Sequence, residues 1–248
     1  MRKLKVLVFD IETAPMQAYV WGTRDQNIAL NQIERDWHVI AWAAKWLGEP
    51  KVFYMDQRNA SYIENDKLLL RKLWDLLDEA DIVITQNGQN FDAPKLNARL
   101  IEHGMNPPSP YRHLDTYQIV RRVAKFTSNK LEYLTEKLCT KYKKLSHKEF
   151  PGFSLWTECL KGNKKAWDAM KKYNIHDVLS TEEFYMKIRA WVPDNMPNAF
   201  IITDPSKECG RCGTVGKMHS RGERVTNKAI YARYQCQKCG KWQSGEKL

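Results

Sequence analysis

Val6-Leu7-Val8-Phe9-Asp10-Ile11-Glu12-Thr13 begins as an apolar run and ends in two carboxylates one residue apart. Five of the eight residues are β-branched or aromatic, and neither Gly nor Pro interrupts them. The stretch predicts a central strand, buried on both faces and starting near Leu4. Side chains two apart on a strand share a face, so Asp10 and Glu12 project together from its C-terminal end. Two anions this close repel each other unless a cation lies between them. Oxygen donors of this kind suit magnesium or manganese. A strand end whose acids merely face water gives the same short pattern, so the rest of the chain must decide.

Working outward, Trp37 to Trp46 and Lys51 to Met55 read as two strands across the turn Gly48-Glu49-Pro50. They form an antiparallel hairpin beside the first strand. Ala14 to Asp36 is expected to flank the acids as a loop, with a short helix from about Gln26 to Glu34. Leu69, Leu70, Leu73, Leu76 and Leu77 recur at helical spacing behind a cap at Asn65 or Asp66. Asp81 to Thr85 is a short buried strand, and Gln86 to Phe91 is rich in turn residues. A helix then starts at Asp92 or Ala93, with Pro94 in its first turn, and runs to about His103. His113 to Thr116 is a short strand leading into a helix from Tyr117 to Val123. Leu131 to Leu138 is a helix capped by Ser128 or Asn129. Lys141 to Phe153 is a basic loop whose Lys141, Lys143, Lys144, His147 and Lys148 face either phosphates or solvent. Ala166 to Trp191 is one long helix or two adjoining ones. This alternation predicts an α/β domain with a mixed sheet.

Two later stretches complement Asp10 and Glu12. Asn87-Gly88-Gln89-Asn90-Phe91-Asp92 follows a buried strand and opens a helix, which puts Asp92 at the sheet edge. A helix N-cap is the alternative role for that carboxylate. In Tyr173-Asn174-Ile175-His176-Asp177, positions i and i+4 share one helix face, so Tyr173 and Asp177 stack over one patch. His176 points elsewhere and reads as a surface or capping residue.

Phe9 to Thr13 (F-D-I-E-T), Asn87 to Asp92 (N-x-x-x-F-D) and Tyr173 to Asp177 (Y-x-x-x-D) occur in order, roughly eighty residues apart. From Lys3 to Trp191 the chain resembles the DEDD superfamily of 3′–5′ exonucleases. The likeness is to the proofreading exonuclease domain of family B DNA polymerases, which has a ribonuclease H-like mixed sheet flanked by helices. Lys172 stands where the histidine branch of that superfamily has His, so the resemblance is to the tyrosine branch. It implies that Asp10, Glu12, Asp92 and Asp177 hold two Mg²⁺ or Mn²⁺ ions, with Asp10 bridging them. It implies that Tyr173 positions the attacking water. Thr13, Asn87 and Phe91 match positions that contact the 3′-terminal nucleotides of the substrate, and Asp115 matches an acid with a supporting or purely structural role.

The tail differs in kind. Cys209-Gly210-Arg211-Cys212 and Cys236-Gln237-Lys238-Cys239 are each followed by Gly. Two such knuckles bring four thiolates into the tetrahedron of a zinc ribbon with one structural Zn²⁺. A redox dithiol is the lesser alternative, and His219 is not needed as a ligand. The expected domains are therefore 1–198, the nuclease-like body, and 199–248, the ribbon. Some forty residues make too little core to fold alone, so the ion supplies the ribbon's stability. Cys139 and Cys159 read as buried free thiols.

The chain of 248 residues carries a formal net charge of +11. From Pro205 onward ten Lys and Arg face three Asp and Glu, against thirty and twenty-six before it. Four zinc-bound thiolates lower that excess by two. The balance favours a polyanion such as nucleic acid. In the tail, Arg221, Arg224, Lys228, Arg233, Lys238 and Lys241 interleave with Tyr231, Tyr234 and Trp242, where cations meet phosphates and rings meet unpaired bases. Packing of those rings on the body is the alternative. No apolar run approaches the ~20 residues of a membrane span, and no secretory signal is apparent. The expectation is a cytoplasmic or nucleoid enzyme that shortens single-stranded DNA from the 3′ end, working with replication or repair proteins. A 3′–5′ exoribonuclease and a non-catalytic nucleic-acid-binding adaptor remain as alternatives.

Overall fold

The computed structural model describes residues 2–143, 149–197 and 199–248. In chain order its elements are β1 (Arg2–Lys3), β2 (Val6–Thr13), β3 (Gln17–Ala18), β4 (Ile33–Arg35), β5 (Val39–Trp46), β6 (Val52–Asp56) and α1 (Lys67–Asp78). They continue with β7 (Ile82–Thr85), α2 (Asp92–Glu102), β8 (Arg112–Asp115), α3 (Thr116–Val123), α4 (Leu131–Leu138), α5 (Ser154–Leu160) and α6 (Lys164–Ile188). The tail holds β9 (Phe200–Ile201), β10 (Met218–Val225), β11 (Ile230–Cys236) and β12 (Trp242–Lys247).

The main sheet runs β6-β5-β2-β7-β8, with β2 at its centre. β5 is antiparallel to β2 and to β6, whereas β7 is parallel to β2 and to β8. The sheet is therefore mixed, as expected. The period of two along β2 sorts its side chains. Leu7, Phe9 and Ile11 join the core under α1 and α2, with Leu69, Leu73 and Leu96. Val6 and Val8 join the opposite core, with Val178, Phe184 and Tyr185 of α6. Asp10 and Glu12 continue the second row and so face α6. The β2–β5 register slips between Glu12 and Thr13, a bulge of the sort that re-aims side chains at a strand end. Lys45 of β5, buried, pairs with Glu182 of α6 at 2.6 Å and ties the helix to the sheet.

Several details depart from the sequence reading. The helix expected over Gln26–Glu34 is only a 3₁₀ turn at Leu30–Gln32, followed by β4 pairing with β3. Ile28 and Leu30 are exposed, and a short helix with no buried face is marginal in water. Asp66 occupies the α1 cap position but makes no capping bond. Its carboxylate instead accepts from the Val39 N–H and pairs with Arg99 and His103. Lys130, not Ser128 or Asn129, is the α4 cap residue. α5 was not expected; it has seven residues, too few to show a period, and is held by Leu155 and Cys159 against Trp167 and Met170. Lys144, His147 and Lys148 lie outside the described residues. Cys139 and Cys159 are buried free thiols, as expected.

The tail forms an antiparallel sheet β10-β11-β12. It is seated on the body. β9 pairs with β1, and the Phe200 ring lies 2.7 Å from where a Cβ on Gly213 would stand. Gly213, at φ +68°, is thus required both by its backbone and by that ring. Arg211 is 1% exposed and donates to the carbonyls of Pro197, Val192 and Pro193 just beyond the end of α6. Lys241 donates to the Val192 carbonyl and pairs with Asp194.

Candidate active site

Three elements distant in sequence deliver the acids. β2 supplies Asp10 and Glu12, α6 supplies Asp177, and one oxygen from each lies within 4.8 Å of the others. Asp92, the first residue of α2, stands beside this trio and not within it. Its Oδ1 accepts the Ile11 N–H at 3.0 Å, so it is fixed to the backbone between Asp10 and Glu12. It is not a helix cap; Phe91 holds that position.

Asp92 is delivered by a constrained loop. Asn87 adopts φ +65°, and Gly88 lies so close to Thr85 that a Cβ would meet Oγ1 at 2.3 Å. Asp115 accepts from the Asn87 and Gln89 N–H groups at 2.8 and 3.0 Å, and from the Tyr117 N–H at the start of α3. It holds the loop without reaching the acid trio itself. Asn87 and Phe91 sit on the same loop, with Lys95 over the Phe91 ring, and Thr13 ends β2 just past the bulge. His176 packs edge-on against Tyr142 and meets the Lys143 carbonyl, away from the acids.

The acids are held under electrostatic strain. Burial, then Asp92, Glu12 and Asp177, raise Asp10 well above the usual carboxylate range. Burial and Asp177 push Glu12 up to about 8. Burial pushes Asp92 and Asp177 each up to about 7. Among the described residues, no Lys or Arg ion-pairs with any of the four. The donors are hard oxygens, crowded and short of positive charge, and this fits a divalent cation.

Three side chains oppose the strain. The Tyr173 phenol hydrogen-bonds Asp177. Burial and then the charges of Asp177, Glu12 and Asp10 push its own pKa upward, so it keeps its proton at neutral pH. Asn174 Nδ2 donates to Asp10 Oδ2 at 2.6 Å. Trp156 Nε1 donates to Glu12 Oε2 at 2.9 Å, and its ring meets Tyr173 edge-on at 6.0 Å. The sequence reading missed Asn174 and Trp156. Asn174 carries a legible signal, since it lies three residues before Asp177 on the helix. Trp156 carries none, because α5 itself was not foreseen.

In the tail, one Sγ from each of Cys209, Cys212, Cys236 and Cys239 lies within 4.8 Å of the others. Cys209 and Cys239 are 3.7 Å apart, as are Cys212 and Cys236. These are not disulfide lengths. Metal–sulfur bonds of ~2.3 Å in a tetrahedron place sulfurs ~3.8 Å apart, so the cluster has zinc-ribbon geometry. Of the expected tail cations, Lys241 is buried and Arg224 is paired with Asp194. Buried Lys241 is not available to phosphates.

The sheet order and the acid cluster define an RNase H-like domain. The RNase_H_2 family of the RNase_H superfamily matches residues 36–189. This chain belongs to that superfamily. It is similar to a DNA polymerase of Methanocaldococcus jannaschii, 33% identical over 95 residues that cover 30% of this chain and 6% of the polymerase. In fold it is similar to the family B DNA polymerase of the archaeon Pyrobaculum calidifontis, with a TM-score of 0.55 and 16% identity over 76% of this chain and 25% of that one. The chain spans only these small shares of the polymerases' length. The family match covers the body alone, and the four-cysteine cluster lies beyond it.

Proposed function

We propose that this protein is a metal-dependent 3′–5′ exonuclease that hydrolyses phosphodiester bonds at the 3′ end of single-stranded DNA. The observation that carries the reading is the convergence of Asp10, Glu12 and Asp177 beside Tyr173, with Asp92 one backbone bond away. Two Mg²⁺ or Mn²⁺ ions, bound by these four acids, would supply charge neutralisation of the phosphate and a water of lowered pKa. The residues do the rest. Asn174 and Trp156 fix the Asp10 and Glu12 carboxylates in place. Tyr173, protonated, orients the attacking water through its hydroxyl and does not act as a base. Thr13, Asn87 and Phe91 at the rim are assigned to the terminal nucleotides.

We further assign 1–198 as the catalytic domain and 199–248 as a ribbon holding one Zn²⁺ through Cys209, Cys212, Cys236 and Cys239. Its Arg221, Lys228 and Lys238 are exposed, and Arg233 lies over Trp242 at 5.0 Å. These residues suit a strand's phosphates and unpaired bases. DNA is favoured over RNA because the similar proteins are DNA polymerases. Among the described residues no helix is long and apolar enough to cross a membrane. We place the enzyme in the cytoplasm or on replicating DNA, alongside replication or repair proteins.

The test uses 5′-end-labelled DNA and RNA strands, single and duplex, with magnesium, manganese or no added divalent ion. The expected result is a metal-dependent ladder shortening from the 3′ end, strongest on single-stranded DNA. A ladder from the 5′ end, or binding with no cleavage of any strand, overturns the reading.

A further inference from the structure

Lys45, Arg58 and Arg99 of the body are buried or partly buried, and each has a carboxylate partner, in Glu182, Asp56 and Asp66. Lys95 of α2 is half-buried and has no ion-pair partner among the described residues. Burial lowers its pKa from the ordinary lysine value, and the charge of Asp36, beyond ion-pair reach, opposes that. Its ammonium lies instead over two rings, with Nζ 3.5 Å from the Trp37 centroid and 5.5 Å from that of Phe91. Contacts of this kind hold a cation by about 0.5–2 kcal/mol each and leave its charge uncancelled.

Lys95 is also next to the acids. Asp92 and Lys95 are three residues apart on α2, so they share a face with Cβ atoms ~5–6 Å apart. Helical side chains lean toward the helix N-terminus, and the contact with Phe91, the residue before α2, shows that this one does. Asp92 in turn accepts the Ile11 N–H at 3.0 Å, between Asp10 and Glu12. An unpaired positive charge is thereby held at the rim, on the Asp92 side of the acid cluster.

We propose that Lys95 is a substrate-binding residue that takes the phosphate next upstream of the scissile one, an inference that rests on the function proposed above. At a free 3′ end the departing nucleotide carries no phosphate beyond the scissile one. Any second phosphate beside the acids therefore belongs to the strand upstream. Trp37 and Phe91 bring no charge to compete with it, and they restrain the ammonium in advance, which lessens the side-chain freedom lost on binding. The competing role for Lys95 is a stem laid over an aromatic surface with its head in water, making no contact with the strand.

The experiment compares the full-length protein with Lys95→Met and Lys95→Arg. Anisotropy, without added divalent ion, gives the Kd for a labelled single-stranded DNA over a series of salt concentrations. Turnover with magnesium gives kcat/KM for that strand, and for the same strand with an uncharged methylphosphonate in place of the phosphate next to the scissile one. Loss of one charged contact predicts a Kd on the order of 10-fold weaker for Lys95→Met, with Lys95→Arg recovering most of it. The slope of log affinity against log salt becomes shallower by about 0.7 in Lys95→Met. The methylphosphonate lowers kcat/KM on the order of 10-fold in the wild type and leaves that of Lys95→Met unchanged. An unchanged salt slope in Lys95→Met overturns the inference. So does an equal methylphosphonate penalty in the two proteins, since Lys95 then acts through packing alone. If the wild type cleaves neither strand, the proposed function fails, and the Kd and its salt slope still decide the role of Lys95.

Discussion

The acid cluster, with Asp92 beside it, and the cysteine cluster both fit a divalent cation, yet they are built in opposite ways. The four sulfurs come from two knuckles within one small tail and form a closed set. The acids come from β2, α2 and α6, and the Asn174 that steadies Asp10 is 164 positions away from it. In the tail the four cysteines lie close together in sequence pairs, and few apolar side chains are buried around them. In the body the fold makes the site, and it does so at an electrostatic cost that shows in the raised pKa values of Asp10, Glu12, Asp92 and Asp177. Both clusters fit a divalent cation, one through packed thiols and the other through crowded oxygens.

Breaking the closed site should have the largest effect. Cys236→Ser should remove most of an apparent metal-binding energy of roughly 10 kcal/mol. Hydrogen exchange should then show lost protection across residues 205–248; retained protection would argue that apolar packing, not metal, holds the tail. Next, Asp10→Ala should lower turnover about 10³-fold or more, a barrier increase of about 4 kcal/mol, while circular dichroism stays native. Wild-type turnover in that variant would refute the assignment. Trp156→Phe keeps the ring beside Tyr173 but removes the donor to Glu12. The half-saturating manganese concentration should rise on the order of 10-fold, and an unchanged metal titration would leave Trp156 with a packing role alone.

A separate effect is on metal-free stability. Glu12 has an ordinary value of 4.5 and is pushed up to about 8 in the fold. Between those values the folded chain binds its proton more tightly than the unfolded chain does. The contribution of Glu12 to stability is therefore complete below about pH 4.5 and is lost as pH climbs through about 8. With zinc retained and no other divalent ion, Tm should fall over this window, by about 2–4 °C for each kcal/mol. Glu12→Gln should flatten the decline, and added manganese should reverse it at the alkaline end. A Tm that rises with pH in the wild type would show that the acids are relieved in some other way.

Much of this was legible in the sequence. β2, β5, β7, α1, α2 and α4 follow from period and breaker residues, and the two knuckles from local spacing alone. The acids could be placed because Asp10 and Glu12 lie on β2, Asp92 opens α2 and Asp177 lies on the long α6. What escaped was whatever depends on another segment. Asp66 looks like a helix cap but serves Val39, Arg99 and His103. Trp156 sits on a seven-residue helix with no period to read. Lys241 looks like one more tail cation, yet it is buried on the body. Local chemistry was visible in the letters; the partner across the fold was not.

Arg211 gives the seam between the two parts a direction. Its guanidinium plugs carbonyls just beyond α6, and the helix end at Ile188 is ~16 Å, or three turns, from Asp177. The helix that carries Tyr173 and Asp177 is therefore anchored at its far end by a residue from inside a metal knuckle. Anyone excising the body to graft it elsewhere must bring a substitute for that plug, or those carbonyls will be left to hydration and the helix end free to fray.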